Sequence, residues 1–188
     1  NVRVLEEGVH SGDASGIVPS SFRILRNLLD RIEDSKTGRI TADVLNVDIP
    51  SDRISAAKEA AGVLGTQVYD KFPWPQGVMP MNSDLAELVL NRTWRPTLSV
   101  TGVEGMPKLE DAGNVLRPYT AVKLSVRIPP TLDPVLASNK LKEILEKDPP
   151  YGAKIEFDIE KSSQGWAAPS LVPWLADTVD TASKTWFG

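Results

Sequence analysis

Three polar residues, His10, Asn114 and Arg127, are the strongest candidates for chemistry in this sequence of 188 residues. His10 lies in the glycine-rich turn 8–12, and glycine lets backbone and ring approach a ligand closely. Arg127 lies on the polar side of an alternating segment, and its planar guanidinium fork suits a carboxylate. Asn114 follows Gly113 in a segment typical of a turn.

Each of these residues also has an ordinary structural interpretation when its type is taken alone. A lone histidine is more often exposed or hydrogen-bonded in place than catalytic. The alternation favours an Arg127 that pairs across the sheet with Glu156 or Asp158. A Gly-Asn pair such as 113–114 is common turn chemistry. The residue types alone leave both interpretations open.

Other sets of catalytic or metal-binding side chains are few. The chain has one His and no Cys, whereas zinc needs three or four converging His, Cys or carboxylate ligands. The acidic pairs at 6–7 and 110–111 are adjacent in sequence, which is typical of solvated side chains. Ser11 and Asp13 flank His10, but sequence neighbours rarely reach the geometry of a triad, and a nucleophile elbow is missing. We expect no cofactor to be bound by this chain itself.

Composition narrows the class of protein. Lys plus Arg is 21 and Asp plus Glu is 25, for a net charge of −4, so a basic nucleic-acid platform is disfavoured. An apolar run long enough to span a membrane is missing, as is a signal segment. The absence of cysteine fits a reducing compartment, so we expect a cytoplasmic location. The apolar ends of the chain suggest that both are cuts made inside a longer protein.

The hydrophobic pattern predicts the elements that position these residues. Apolar and polar residues alternate over 97–101, 122–128 and 154–159, a pattern typical of antiparallel strands with one buried face. A short first strand is expected near Val2. The segment 8–13 is expected to be a loop.

Helix signals lie between these strands. Pro19 to Ser21 predicts the start of a helix that runs to about residue 34, and Asp133-Pro134 predicts the start of a second main helix. Two shorter helices are expected in between, capped near Ser51 and by Ser83. The order predicts an α+β, ferredoxin-like fold, in which a four-stranded antiparallel sheet carries two main helices on one face and a helical insertion follows the first helix.

Two boundaries follow from this order. Residues 1–161 form the predicted domain, with the insertion at 39–93 inside it. Residues 162–188 do not belong to the sheet, and their apolar helix needs a partner that the fold does not supply.

Several stretches together resemble the lid, or dimerisation, domain of M20 family metallopeptidases and amidohydrolases. The first is Val9-His10-Ser11-Gly12, followed by Gly16 and an amphipathic helix. The others are the glycine–asparagine segment with the arginine strand after it, the double proline before the last strand, and the end of the chain, at 113–130, 149–153 and 162–188. That family includes carboxypeptidase G-type enzymes, carnosinase-like dipeptidases, acetylornithine deacetylases and aminoacylases. The family's usual double glycine after His-Ser-Gly is Ser15-Gly16 here, and the long insertion resembles the dipeptidase branch.

The resemblance implies a function for the whole enzyme and for this part of it. The parent would hydrolyse peptides or N-acyl amino acids with two zinc ions, all held in a catalytic domain outside this chain, so the chain alone would be inactive. His10 would stabilise the oxyanion in the partner subunit's site, while Asn114 and Arg127 would hold the substrate's carboxylate or carbonyl oxygen. The lid would also form a homodimer. Residues 162–188 would return to the catalytic domain.

Three other functions compete with this one. A metal-free regulatory module of ferredoxin-like fold that binds amino acids is the main alternative. An acylphosphatase-like enzyme lacks its phosphate-cradling loop here and needs a much shorter chain. A single-strand RNA platform is disfavoured because the predicted strands show no exposed aromatics and the net charge is negative.

Overall fold

The computed structural model describes residues 1–187, which form six strands and seven α-helices. In chain order these are β1 (Val2–Arg3), β2 (Val9–His10), α1 (Ser11–Ala14), α2 (Ser21–Leu29), α3 (Ser51–Leu64), α4 (Gln67–Asp70), α5 (Leu85–Thr93), β3 (Thr97–Glu104), β4 (Val115–Leu116), β5 (Tyr119–Arg127), α6 (Pro134–Glu146), β6 (Lys154–Ile155) and α7 (Pro173–Phe187).

Four of the strands form one antiparallel sheet in the order β3-β5-β1-β6. Together with α2 after β1 and α6 after β5, this is the split β-α-β arrangement of a ferredoxin-like fold. The predicted fold class is therefore confirmed. The other two strands, β2 and β4, lie far apart in sequence and pair with each other in a separate two-stranded antiparallel ladder, the β2–β4 ladder.

Helices α2 and α6 cover one face of the sheet. Their buried side chains meet Val2 of β1, and the helix residues concerned are Ile24, Leu25, Leu28, Ala137, Leu141 and Leu145. Removal of this apolar surface from water, about 25 cal/mol per Å², is the main stabilising term. The side chains on the opposite face of β5 point away from this core.

The predicted starts of both main helices are confirmed. Ser20 accepts a hydrogen bond from the N–H of Arg23, and Asp133 accepts from the second and third N–H groups of α6. The predicted end of α2 is wrong, because the helix stops at Leu29. Beyond it, the carbonyl of Ile32 accepts from Thr41, so the backbone leaves the helix to pair with a later segment.

The insertion after α2 divides between two cores. Its first part, with Ile40, Ala42 and Leu45, packs into the core under the sheet. Helices α3, α4 and α5 enclose a second cluster around Ala61 and Leu90. The cap predicted at Ser83 is wrong, because the carboxylate of Asp84 accepts from the first N–H groups of α5.

The two outer strands of the sheet end differently. The strand predicted over 154–159 is shorter than expected, since β6 spans only Lys154–Ile155. Beyond it, the N–H of Phe157 donates to Glu146, and the Phe157 carbonyl accepts from Lys142. Side chains of α6 thus occupy the backbone groups at this edge, whereas β3 at the other edge carries no such cover among the described residues.

The last segment packs loosely on the domain. Gly165 passes within contact of Pro130, and Arg53 donates to the carbonyl of Ala168 at 2.5 Å. Helix α7 has no buried residue, although it carries Trp174 and Trp186. Within residues 1–187, no helix has both the length and the apolar character needed to cross a membrane.

Candidate functional site

The β2–β4 ladder brings His10 and Asn114 together. In it His10 pairs with Val115 and Val9 pairs with Leu116, and the N–H of Ser11 donates to the carbonyl of Asn114 at 2.9 Å. The loop predicted at 8–13 is therefore wrong, because this stretch is a short strand followed by one helical turn. Both candidate residues are exposed at this end of the ladder.

The imidazole of His10 is held by its own turn. Its Nδ1 accepts a hydrogen bond from the N–H of Gly12 at 3.1 Å, so His10 is the N-cap of α1. An Nδ1 that accepts carries no proton, and the neutral ring then has its proton on Nε2. The free Nε2–H is a donor available to an oxygen outside the domain.

Two glycines allow this close packing. A side chain at Gly12 would place its Cβ 2.8 Å from Cε1 and 2.9 Å from Nδ1 of His10. A Cβ at Gly8 would lie 2.8 Å from a side-chain carbon of Val115 in β4. The glycine-rich turn noted in the sequence thus has a direct steric reason.

Tyr119 supports the loop that ends at Asn114. Gly105 begins that loop with φ +84°, and a Cβ there would lie 2.5 Å from the carbonyl oxygen of Tyr119. The Tyr119 hydroxyl donates to Glu104 at 2.8 Å, and the guanidinium of Arg3 lies 4.9 Å from the ring centre. The hydrogen bond to the Glu104 carboxylate, followed by its charge, raises the pKa of Tyr119. Sequence reasoning missed this group, and the Glu-Gly pair at 104–105, just beyond the predicted strand, was the available signal.

Arg127 lies elsewhere on the domain. It ends β5 opposite Thr97 of β3, and its side chain is exposed. The cross-sheet pairing with Glu156 or Asp158 is wrong, because that segment follows β6, which is separated from β5 by β1. The described residues give Arg127 no salt-bridge partner.

The structure therefore divides the three candidates into two sites. His10 and Asn114 lie beyond the Tyr119 end of β5, and Arg127 lies at the other end. The eight residue-to-residue steps from Tyr119 to Arg127 separate these ends by roughly 25 Å. A substrate as small as a dipeptide cannot span that distance.

The described residues contain no group of three or more His, Cys, Asp or Glu side chains that could hold a metal ion. The side chains of this chain thus do not fit the ligand set of a catalytic zinc site. What the site offers is an exposed imidazole donor, an exposed amide and, at a distance, an exposed guanidinium.

Comparison with known proteins identifies this arrangement. Residues 1–153 match the family model described as the peptidase dimerisation domain, M20_dimer. The chain belongs to this family. The matched residues include the β2–β4 ladder, with His10 and Asn114, and the strand that carries Arg127.

Individual relatives agree with the family. The cysteinylglycine-S-conjugate dipeptidase of Corynebacterium striatum is 27% identical over 164 residues, which is 84% of this chain and 33% of that protein. The fold is similar to human carnosine dipeptidase 1, with a TM-score of 0.63, 21% identity and coverage of 98% of this chain and 39% of the other. For the dipeptidase Dug1p of Saccharomyces cerevisiae the TM-score is 0.61 and the identity is 17%, with coverage of 98% of this chain and 39% of the other. This chain thus spans 33% to 39% of the length of these relatives.

Proposed function

We propose that this dimerisation domain is the lid of a zinc-dependent dipeptidase or N-acyl amino acid amidohydrolase. In this proposal it supplies substrate and oxyanion contacts to active sites whose two zinc ions are bound outside this chain. The observation that carries the proposal is the exposed His10–Asn114 pair, in which Nδ1 of the imidazole accepts from Gly12 and Nε2 has no partner among the described residues. Family membership and the dipeptidase relatives support the reaction class.

The role proposed for His10 follows from its free donor. Hydrolysis of an amide passes through a tetrahedral oxyanion, and donors placed before the reaction are a major catalytic term. A neutral Nε2–H can donate without first gaining a proton. Asn114, beside it, can donate its amide N–H to the same oxygen or to a substrate carbonyl.

Arg127 is proposed to bind the substrate's carboxylate in a different active site from His10 of the same chain. The length of β5 separates the two ends by roughly 25 Å. Each complete site would then need Arg127 from one lid and the His10–Asn114 pair from another. In a two-fold dimer each lid would contribute its Arg127 to one site and its His10–Asn114 pair to the other, so the combination occurs twice.

The free edge of β3 is the surface we propose for the lid-to-lid contact. An unpaired edge strand is a template for another strand, and β3 exposes Val103 to 58%. At the opposite edge Lys142 and Glu146 already occupy the backbone groups of Phe157. Pairing of two β3 strands would join two sheets into one.

The proposed division of the chain places the lid at 1–161 and assigns 162–188 to contact with the catalytic domain. Helix α7 has no buried residue in the described chain, yet Trp174 is 67% and Trp186 is 78% exposed. Large exposed apolar side chains on one helix indicate a contact surface. The part of the relatives that this chain does not span is the candidate for that contact.

The test uses the full-length enzyme with peptide and N-acyl amino acid substrates. Replacing His10 with Ala should lower kcat by on the order of 100-fold, the usual loss for one oxyanion donor. Replacing Arg127 with Ala should mainly raise KM for substrates that carry a carboxylate. Lys58→Ala, at an exposed position on α3 in the insertion, is the control.

Two results would overturn the proposal. One is a folded His10→Ala enzyme with the kcat of the wild type. The other is tight zinc binding and metal-dependent turnover by the 188-residue chain alone. Amino acid binding by that chain without metal would favour the regulatory module instead.

A further inference from the structure

We propose that Gly12 is a positioning residue, whose backbone N–H fixes the tautomer and orientation of His10. The inference rests on the proposed function for its catalytic meaning, but its structural content stands on the turn itself. Gly12 N–H donates to Nδ1 of His10 at 3.1 Å, and His10 is otherwise exposed, so this is the contact that orients the ring.

The direction of the hydrogen bond decides the chemistry. A neutral imidazole has one protonated and one unprotonated nitrogen. With Nδ1 occupied as an acceptor, the proton stays on Nε2, and a ring flip would place C–H groups against the donor. A free side chain would populate both tautomers, and only part of that population could donate from Nε2.

The turn that carries this donor is fixed at several points. The N–H of Ser11 donates to the carbonyl of Asn114, and the N–H of Ser15 donates to the carbonyl of Ser11. The turn is therefore hydrogen-bonded both to the segment before β4 and within itself. Ala14 in the same turn is 9% exposed and anchors it to the domain. The Gly12 N–H therefore has a set direction relative to Asn114.

Residue 12 must be glycine for this contact to exist. A methyl group there would overlap Cε1 and Nδ1 at 2.8 and 2.9 Å, which forces the ring away from the donor. Gly113, which precedes Asn114 in the loop before β4, has open space around an added Cβ. The two positions form a matched pair in which the same added methyl should have opposite consequences.

The experiment uses the fact that His10 is the single histidine of the chain. In alkaline buffer, where imidazole is neutral, long-range ¹⁵N–¹H correlation spectra separate a protonated from an unprotonated ring nitrogen. In the wild type, Nδ1 should give the shift of a hydrogen-bonded acceptor, with an NOE between the ring and the Gly12 amide. Gly12→Ala should move both ring nitrogens toward tautomeric averaging and abolish the NOE. Gly113→Ala should change neither.

A second measurement covers the case in which Gly12→Ala does not fold. Exchange of the Gly12 amide with deuterium should quicken in His10→Ala and stay slow in His10→Asn, since Asn at an N-cap also accepts from this N–H. Unchanged exchange in His10→Ala, or unchanged ring shifts in a folded Gly12→Ala chain, would overturn the assignment.

Kinetics of the full-length enzyme separates this inference from the proposed function. If both hold, Gly12→Ala should lower kcat by on the order of 100-fold, as misplacement of a catalytic group does, and Gly113→Ala should have little effect. A Gly12→Ala variant that loses the tautomer while retaining kcat would uphold the positioning role and refute the catalytic role of His10.

Discussion

Ser21 and Thr120 share a buried side-chain hydrogen bond of 2.8 Å, although 99 positions separate them in sequence. Ser21 is 3% and Thr120 is 0% exposed. The bond joins the first turn of α2 to the middle of the sheet at the residue of β5 that faces Val2. It fixes the helix relative to the strand whose ends lead to the two candidate sites.

This pair predicts strong non-additivity. Thr120→Val leaves the Ser21 hydroxyl buried without a partner, which should cost about 1–3 kcal/mol of unfolding free energy. Adding Ser21→Ala should cost little more, because both polar groups are then gone. Urea unfolding of the two single variants and the double variant measures the coupling. Thr101→Val on exposed β3 serves as control, and additive losses would contradict the prediction.

Arg31 predicts a second stability effect. Its guanidinium donates to the carbonyls of Ile144, Lys147 and Asp148 at the end of α6, and thereby satisfies groups that a helix end leaves unpaired. Arg31→Met should lower the unfolding free energy by about 1–3 kcal/mol, and Arg31→Lys should restore only part of it, because an ammonium lacks the planar fork. Arg23→Met, on the exposed side of α2, should stay within about 0.5 kcal/mol of wild type in thermal unfolding.

Glu33 and Asp34 are neighbours with opposite pKa shifts. Partial burial, followed by the charge of Asp30, raises the pKa of Glu33. The backbone N–H of Thr37, its hydroxyl and the N–H of Lys36 lower the pKa of Asp34.

The signs of the linkage are therefore opposite. Between its unfolded and its raised folded pKa, Glu33 binds more protons in the folded state, so acidification favours folding there. Between its lowered folded and its unfolded pKa, Asp34 binds fewer, so its stabilisation is lost as pH falls through that window. Carboxyl ¹³C titration of the two side chains should give midpoints on opposite sides of their ordinary values. Glu33→Gln should stabilise the protein near neutral pH, and equal-sign shifts would refute the assignment.

The main layers of the fold could be predicted from the sequence, because they rest on local signals. Ser20 and Asp133-Pro134 mark helix starts, and alternation marks the long strands β3 and β5. The β2–β4 ladder could not, since two residues are too few to show a period. The separation of Arg127 from Asn114 also depends on long-range pairing, which a single sequence does not display. The His10 cap is a local contact between residues 10 and 12, but histidine is not among the residue types that mark an N-cap in a sequence.

Self-association through β3 is a further prediction. A lysine on an edge strand opposes pairing with a second edge, so Val103→Lys should convert a dimer to a monomer in sedimentation experiments. Val63→Lys, at an exposed position on α3, should leave the dimer intact. A dimer that persists in Val103→Lys would place the contact elsewhere, and a wild-type monomer at high concentration would count against any lid-to-lid contact.

The separation of His10 and Asn114 from Arg127 predicts a specific pattern of complementation in the full-length enzyme. In a heterodimer of His10→Ala and Arg127→Ala subunits, one active site receives both mutations and the other receives neither. Such heterodimers, isolated with two different tags, should recover about half of the wild-type activity, since one of two equivalent sites is intact.

Subunits with His10→Ala and Asn114→Ala should fail to complement. Both residues lie at the β2–β4 ladder and, in the proposed function, enter the same site, so each site of that heterodimer would lack one of them. Turnover by the isolated heterodimers, compared with each mutant homodimer, reads out the difference. Recovery with His10→Ala and Asn114→Ala, or no recovery with His10→Ala and Arg127→Ala, would contradict the prediction. The three residues would then not divide between two active sites as their positions on the sheet and the β2–β4 ladder require.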